Sequence, residues 1–492
     1  MRRYRTGVDD DQAARISDFT AVDAGLVEAP AGYGKTHLLL DIIEANTGKP
    51  LLILTHTVAG VAVIRDRILR RGVLRAQANV STIAGWQQQF VNAYSPLVGV
   101  GADELKRLEA NDNKRYWKKV NETFEALLRT DVLRVVILAS YGAVYVDEYQ
   151  DCNVGQHRIF TRLKAILPVR VLGDDMQAIF GFDGDKVDWS DVVATFPLVT
   201  TLSAPQRWIK SGNIEYANWI AAVRTELVAG RPVNLGAGNL PTCVKVISIP
   251  ADYDDYMGAI LAETRLALPD GHKRLIIGDK ANTQSKALVK RLSWPRYQLI
   301  ESLYSKDIEK LKKLGATLDF TGADDELAIF KVVEDCLSGI PQSIKAGVDK
   351  FRRHEPYNPR LDLLVAIGDL QNAFTATKAL ILLNRFEALS GVSCSRRQPL
   401  LILEMALTAV GDGRSATYEG AVNEAVASLN RRGRHLPRYS IGSTLLVKGL
   451  EVEEVVILDI QKLNRNDLYV ALTRPTRKLT IFTNATMLTA RP

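Results

Sequence analysis

Cysteine is scarce in this sequence, and the few cysteines form no metal or disulfide framework. Among 492 residues the cysteines are Cys152, Cys243, Cys336 and Cys394, and none of them forms a CxxC pair. We therefore expect neither a disulfide-stapled domain nor a zinc site, and we expect a reducing compartment.

Long apolar runs are also lacking. No segment approaches the roughly 18–20 apolar residues that a membrane-spanning helix needs. The amino terminus is basic, at Arg2, Arg3 and Arg5, but no apolar stretch follows it, so a signal peptide is not expected. The sequence predicts a cytoplasmic protein without a membrane partner.

What the sequence does have is an excess of positive charge. The formal net charge is +7 and the sequence pI is about 9.0, with 24% of residues charged. Such an excess is a modest argument for a polyanionic partner, because many basic proteins bind no nucleic acid. The motifs have to decide.

The pattern of apolar runs predicts an α/β protein. Short β-branched runs alternate with helical stretches over the first 220 residues, which is typical of a parallel sheet covered by helices on both faces. Similar strand signals return near Val244–Ile249 and Lys478–Thr483. The predicted domains are a first lobe over 1–86 and 140–225, a helical insertion over 87–139, a second lobe over 243–298 and 438–492, and a helical insertion over 299–437.

A glycine-rich segment joins the first predicted strand to the next helix. It consists of Glu28, Ala29, Pro30, Ala31, Gly32, Tyr33, Gly34, Lys35 and Thr36. Small residues let backbone N–H groups surround phosphate oxygens, and the helix amino terminus adds positive potential. Lys35 can then reach the β- and γ-phosphates of ATP, and Thr36 can ligate Mg²⁺. For this motif taken alone, a strand–helix turn that binds no nucleotide is the alternative.

Acidic and amide side chains follow two later strands. Asp147 comes directly after a buried run and is placed to hold Mg²⁺, while the adjacent Glu148 can activate the attacking water. Gln177 follows the next strand and can report the state of the γ-phosphate. Arg207 and Arg474 are candidates to stabilise charge on the transferred phosphoryl group. Taken singly, adjacent acids are often a solvated turn, and each arginine is more often a surface residue.

Together these segments resemble the UvrD/Rep-type branch of superfamily 1 helicases. DEYQD at 147–151, LGDDMQAIFGF at 172–182, TLLVKGLE at 444–451 and LYVALTR at 468–474 stand in the family's order, and THTVAG at 55–60 resembles its TxT-bearing segment. The resemblance runs from about residue 12 to 474. It implies two RecA-like lobes that enclose ATP, an adenine-reading Gln12, a ribose-side Glu451, and 3′→5′ movement on single-stranded or partly duplex DNA.

The resemblance also implies residues that contact DNA. An aromatic side chain can stack on a base, and a strand end can contact phosphates. The candidates are Thr55, His56, Thr57, Phe180, Phe182 and Trp86. An aromatic beside a sheet is more often part of the core.

Departures from the family pattern keep a second function open. Gln206 replaces a tyrosine, Leu445 a histidine and Asp183 an arginine, at positions used for adenine stacking and DNA contacts. The first hypothesis is an ATP-dependent DNA helicase or translocase. The alternative is a DNA-stimulated ATPase that regulates a nuclease subunit, as in a phage-defence complex of the Gabija kind. A third, a nucleotide-binding scaffold without turnover, is disfavoured by the presence of Glu148, Gln177 and both arginines.

Overall fold

A computed structural model describes most of the chain. The described residues are 8–179, 186–278, 285, 288–289, 291–292, 297–301, 311, 325–353, 355–356, 363, 375–432 and 436–491. The chain divides into two compact units. The first comprises Met1–Arg231, Asn464–Thr473 and Ala490–Pro492, and the second comprises Pro232–Leu463 and Arg474–Thr489.

The first unit is built on a parallel sheet. Its strands are β1 (Ala24–Glu28), β2 (Leu51–Thr55), β3 (Ala78–Thr82), β4 (Ala143–Val146), β5 (Val169–Gly173) and β6 (Leu198–Thr201). Their order across the sheet is β3-β2-β4-β5-β1-β6, and all neighbouring pairs are parallel. Every residue of β2, β4 and β5 is buried, as expected of strands covered on both faces.

Helices cover this sheet and form the segment between β3 and β4. They are α1 (Val8–Ala21), α2 (Lys35–Ala45), α3 (Val58–Arg70), α4 (Ile83–Tyr94), α5 (Ala102–Asn111), α6 (Asn113–Leu127), α7 (Asp131–Ser140), α8 (Val154–Leu163), α9 (Trp189–Thr195), α10 (Gln206–Ser211) and α11 (Ile214–Val228). Apolar residues of α1, α2 and α3 form a core on one face, while α4, α6, α7 and α8 contribute to the core on the other.

The second unit carries another parallel sheet. Its strands are β8 (Val244–Ile247), β9 (Arg274–Ile277), β10 (Gln298–Leu299), β13 (Tyr439–Gly442), β14 (Val452–Ile457) and β15 (Pro475–Phe482), in the order β10-β13-β9-β14-β15-β8. Short antiparallel pairs join β7 (Val233–Asn234) to β16 (Met487–Leu488) and β11 (Leu337–Ser338) to β12 (Ser393–Cys394).

The second unit also has helices, and those that lie between β10 and β13 along the chain form a separate apolar core. The described helices of this unit are α12 (Tyr253–Thr264), α13 (Asp325–Cys336), α14 (Gln342–Arg352), α15 (Ala376–Glu387), α16 (Arg397–Gly411), α17 (Tyr418–Arg432) and α18 (Thr444–Val447). Buried residues of α13, α15, α16 and α17 make up most of this core. The sheet packs instead against α12.

The two sheets share one strand order. Five neighbouring strands are β3-β2-β4-β5-β1 in the first sheet and β13-β9-β14-β15-β8 in the second. When each set of five is numbered along the chain, both sets have the order third, second, fourth, fifth and first. This repeated arrangement confirms the predicted α/β fold class, with two RecA-like lobes.

One helix packs differently from the sequence-based domain ranges. Helix α19 (Arg465–Leu472) falls in the range assigned to the second lobe, 438–492, but belongs to the first unit. The Asn466 side chain donates to the carbonyls of Asp175 and Ala178, at 3.0 and 3.1 Å. The Tyr216 hydroxyl donates to the Leu472 carbonyl at 2.6 Å. These hydrogen bonds attach α19 to the first unit.

Candidate functional site

The glycine-rich segment forms a loop between β1 and α2. Gly32 and Gly34 have φ values of 81° and 95°, a left-handed conformation that favours glycine. Gly34 lies immediately before α2, so the loop presents the helix amino terminus, where backbone N–H groups attract anions. This local geometry suits the predicted binding of a phosphate.

The segment that carries Arg207 lies directly against this loop. The Arg207 backbone N–H donates to the Gly32 carbonyl at 3.0 Å. A β-carbon at Gly32 would stand 3.0 Å from the Arg207 β-carbon and 3.2 Å from the Trp208 ring. The Arg207 guanidinium also donates to the Thr473 carbonyl, at the end of α19. Arg207 is thus beside the loop, and its contact with a phosphate stays a prediction.

Lys35 and Glu148 are directly paired at the carboxyl edge of the first sheet. The Lys35 Nζ lies 3.1 Å from Glu148 Oε2, although the residues are 113 positions apart. Burial by itself lowers the pKa of Lys35, but the carboxylates of Glu148, Asp147 and Asp174 outweigh burial and raise it. Lys35 therefore remains a cation at neutral pH, as a phosphate ligand must.

Glu148 has an unusual backbone conformation. Its φ and ψ are 56° and 44°, in the left-handed region that side chains other than glycine rarely adopt. Its N–H donates to the Asp147 carboxylate at 3.0 Å. Strained residues of this kind cluster at functional sites, where surrounding contacts hold them in place.

A chain of hydrogen bonds connects Glu148 to Gln177. The Gln150 amide donates to Glu148 Oε2, and its oxygen accepts from the Asp174 backbone N–H at 3.1 Å. Asp174 Oδ2 accepts from Gln177 Nε2 at 2.9 Å. Gln150, Asp174 and Gln177 are all buried. The sequence assigned no role to Gln150 or Asp174, although both stand inside the motifs that identified their neighbours.

The candidates for holding Mg²⁺ follow two strands of the same sheet. Thr36 is partly buried at the start of α2, and Asp147 is buried directly after β4. In the described part of the chain, no group of three or more histidine, cysteine or acidic side chains has the arrangement of a metal site. One hydroxyl and one carboxylate suit a cation that is held partly by phosphates, as Mg²⁺ is in nucleotide sites.

The remaining nucleotide-site candidates are Gln12, Glu451 and Arg474. Gln12 lies in α1, and its side chain is outside what the structure describes. Glu451 is exposed immediately before β14. Arg474 is buried in the second unit, and its guanidinium donates to the Leu450 carbonyl at 3.1 Å.

The candidate phosphate contacts at the end of β2 are partly engaged within the protein. Thr55 is buried, and the Thr57 hydroxyl accepts from the Gly60 N–H at 3.0 Å, capping α3. His56 Nε2 lies 3.5 Å from the Cys152 sulfur. Of the three, His56 and Thr57 are partly exposed.

Trp86 is not a base-stacking residue in this fold. Its ring is 1% exposed and packs edge-on against Phe124, with centroids 4.9 Å apart, and also against Phe90. A base could reach it only if this core opened, so the prediction of a DNA contact at Trp86 is wrong. Phe180 and Phe182, the other aromatic candidates, lie outside the described residues.

Comparison with known families finds a match over part of the chain. Residues 103–189 match the UvrD/REP helicase N-terminal domain, a range that includes the Asp147, Glu148 and Gln177 segments. The match confirms the predicted resemblance to UvrD-like helicases. No match was found among curated proteins.

Solved helicase structures are similar over most of the chain at low identity. The crystal structure of Pif1 helicase from Candida albicans has 12% identity and a TM-score of 0.38, covering 100% of this chain and 98% of that one. Arterivirus nonstructural protein 10 (helicase) in complex with DNA has 11% identity and a TM-score of 0.33, covering 96% of this chain and 63% of that one.

Among the helices in the described ranges, none combines the length and apolar character needed to cross a membrane.

Proposed function

We propose that this chain is an ATP-driven DNA motor that moves 3′→5′ along single-stranded DNA. The observation that carries the proposal is the network of the partly exposed Glu148 with the buried Lys35, Gln150, Asp174 and Gln177 beside the glycine-rich loop. It brings a phosphate-binding cation, a candidate base and a candidate phosphate sensor to one edge of a sheet. ATP hydrolysis needs these three roles.

The pairing of Lys35 with Glu148 suggests how ATP binding prepares hydrolysis. The Lys35 Nζ forms an ion pair with Glu148 Oε2 at 3.1 Å. The β- and γ-phosphates would provide Lys35 with a stronger anionic partner and release the Glu148 carboxylate. Glu148 would then take a proton from water as the water oxygen attacks the γ-phosphorus and the bond to ADP breaks.

The proposed nucleotide site includes the remaining candidates from the sequence. They are Gln12, the loop from Ala29 to Thr36, Gln177, Arg207, Glu451 and Arg474. Thr36 and Asp147 would hold Mg²⁺, which neutralises charge on the phosphates when it is bound. The acidic groups near Lys35 fit such a cation. Three carboxylates, those of Glu148, Asp147 and Asp174, act on the single ammonium group of Lys35, so negative charge is in excess there.

The proposal assigns the two lobes different parts. The first lobe, 1–86 and 140–225 with an insertion at 87–139, would bind ATP. The second lobe, 243–298 and 438–492 with an insertion at 299–437, would supply Arg474. DNA would contact Thr55, His56, Thr57, Phe180 and Phe182, and the net charge of +7 favours a polyanionic partner.

The test is ATP turnover with and without single-stranded DNA. We expect DNA-stimulated hydrolysis that Lys35→Ala abolishes, because in the described loop Lys35 is the cation at the helix amino terminus. Lys49→Ala is the matched control, since Lys49 is exposed after the same helix. Turnover of Lys35→Ala at the wild-type rate would contradict the assigned site.

Regulation of a nuclease subunit is the second candidate function. It is favoured by Gln206, which stands where the resembling family has a tyrosine. A β-carbon at Gly34 would lie 3.3 Å from Gln206 Cγ, so this side chain borders the loop. Unwinding of a 3′-tailed duplex by the isolated chain supports the motor. DNA-stimulated ATPase without unwinding of 3′- or 5′-tailed duplexes supports the regulatory subunit.

A further inference from the structure

Arg224 lies between two carboxylates beside the phosphate loop. Its Nη2 is 2.6 Å from Glu28 Oε1 and 3.0 Å from Asp174 Oδ1. Glu28 ends β1 and is in register with Gly173, which ends the neighbouring β5. The two acids therefore follow adjacent strands, and one guanidinium bridges them.

The bridge matters because Asp174 orients Gln177. Asp174 is 0% exposed. Its Oδ1 accepts from Arg224 and from the Met176 N–H at 3.3 Å, and its Oδ2 accepts from Gln177 Nε2. With the amino end of the Gln177 amide held in this way, the amide oxygen is the end available to accept a hydrogen bond from water. A buried carboxylate that loses its cation is strongly destabilised, so the arrangement depends on Arg224.

The helix that carries Arg224 is itself fixed at a second point. Tyr216, on the same α11, donates to the Leu472 carbonyl of α19 at 2.6 Å. Tyr469 of α19 accepts from the Ala31 N–H of the phosphate loop at 3.3 Å. Helix α11 is thereby connected to the loop through α19 and to both strand ends through Arg224.

We propose that Arg224 is a positioning residue for ATP hydrolysis. Arg224 orients Gln177 through Asp174, while Glu28 anchors Arg224 to the base of the phosphate loop. The inference rests on the proposed ATPase function. Arg224 does not contact the nucleotide in this role, so it should affect the rate of turnover more than the affinity for ATP.

The experiment compares Arg224→Gln with Gln177→Ala and with the double variant in steady-state ATP hydrolysis. A misplacement of about 1 Å in a positioning group costs roughly 10²-fold in rate, so we expect kcat of Arg224→Gln to fall by about 10- to 100-fold. KM for ATP should change by less than about threefold, since uniform binding is retained. If Arg224 acts through Gln177, adding Arg224→Gln to Gln177→Ala should lower kcat little further.

Arg231→Gln is the matched control. Arg231 follows the same helix and pairs with Glu226 at an exposed position, at 2.7 Å, so its loss should leave kcat unchanged. Arg224→Lys retains the charge but replaces the guanidinium, whose Nη2 makes both contacts, with an ammonium group on a different stem. It should give an intermediate kcat if Arg224→Gln does not fold.

Three results would overturn the positioning role. The first is full additivity of Arg224→Gln with Gln177→Ala in the double variant. The others are a rise in KM without a fall in kcat, and wild-type turnover in either Arg224 variant. Failure of the proposed function looks different. In that case the wild-type chain shows no ATP turnover that depends on Lys35.

Discussion

At the scale of single residues, Glu148 combines a strained backbone with two competing hydrogen bonds. Its left-handed φ of 56° directs its side chain to both Lys35 and Gln150. This conformation is energetically unfavourable for residues other than glycine, so the surrounding contacts must hold Glu148 in it. The same conformation occurs at Asp459, with φ of 51°, just after β14 of the second sheet.

Glu148→Gln is predicted to bind ATP but hydrolyse it slowly. Glutamine retains the size and the hydrogen-bonding ability of the side chain but cannot take a proton from water. We expect kcat to fall by roughly 10²–10⁴-fold, the usual contribution of a general base. Binding of a fluorescent ATP analogue should persist.

Glu122→Gln is the control for this variant, because Glu122 is an exposed helical residue near Lys118. Loss of ATP binding in Glu148→Gln would mean that Glu148 holds the loop together rather than acting as the base.

At the scale of elements, the phosphate loop depends on a close approach between chain segments. Gly32→Ala adds a β-carbon 3.0 Å from Arg207 at a left-handed position, where a side chain costs about 1–2 kcal/mol. The clash must displace either the loop or Arg207. We therefore expect a lower melting temperature and a higher KM for ATP.

Gly212→Ala separates strain from clash. Gly212 is also left-handed, with φ of 71°, but a β-carbon there meets nothing within 4 Å. It should lose similar stability from backbone strain and retain the wild-type KM. An equal KM for the Gly32 and Gly212 variants would show that the Arg207 contact is unimportant for nucleotide binding.

The helical segment between β3 and β4 has an aromatic core that should control stability. Trp86→Ala removes a ring that is 1% exposed, and substitutions of this kind cost about 3–5 kcal/mol. Urea unfolding should show this loss, while Leu74→Ala, at 70% exposure, should show little. DNA affinity of the folded Trp86 variant should match the wild type. A selective loss of DNA affinity would restore the stacking role.

At the scale of the whole molecule, the same five-strand order occurs in both units, but the polar and charged residues that follow the strands differ. The first sheet is followed by Lys35, Glu148 and Gln177, whereas α12 after β8 begins with Asp252 as its cap and has Asp254 and Asp255 in its first turn. Acidic side chains at a helix amino terminus disfavour a bound phosphate. We therefore do not expect a second phosphate-binding loop at α12.

Arg474→Ala tests whether the second unit takes part in hydrolysis. An arginine that stabilises the transferred phosphoryl group is worth roughly 10³–10⁵-fold in turnover. If Arg474 has this role, kcat should fall by that order and DNA stimulation should vanish, while ATP binding persists. The readouts are turnover with DNA and binding of a fluorescent ATP analogue.

Arg477→Ala is the control for Arg474, because Arg477 is exposed on β15, the strand that Arg474 immediately precedes. Because Arg474 is buried and donates to Leu450, melting temperatures must be compared, and Arg474→Lys retains the charge. Near-normal DNA-stimulated turnover in Arg474→Ala would leave hydrolysis to the first unit.

The sequence by itself determined the strands that are continuous apolar runs and the identity of the motifs. The bounds of β2, Leu51–Thr55, can be read from the sequence, because five consecutive apolar or β-branched residues fit a strand buried on both faces. Strand β3, with the sequence ANVST, escaped prediction because it has no such run. The order of Lys35, Asp147, Glu148 and Gln177 along the chain indicated a resemblance to UvrD-like helicases, and the family match over residues 103–189 confirmed this resemblance.

Only the tertiary structure decided which distant residues meet. The bond from Gln150 to Asp174, the placement of Arg224 between Glu28 and Asp174, and the attachment of α19 to the first unit join residues 24 to more than 280 positions apart. Local sequence patterns carry no record of such pairs, because each partner alone resembles an ordinary polar residue. Trp86 shows the same limit of local sequence patterns. An aromatic residue can be assigned to the core or to a contact with DNA only once its neighbours in the structure are known.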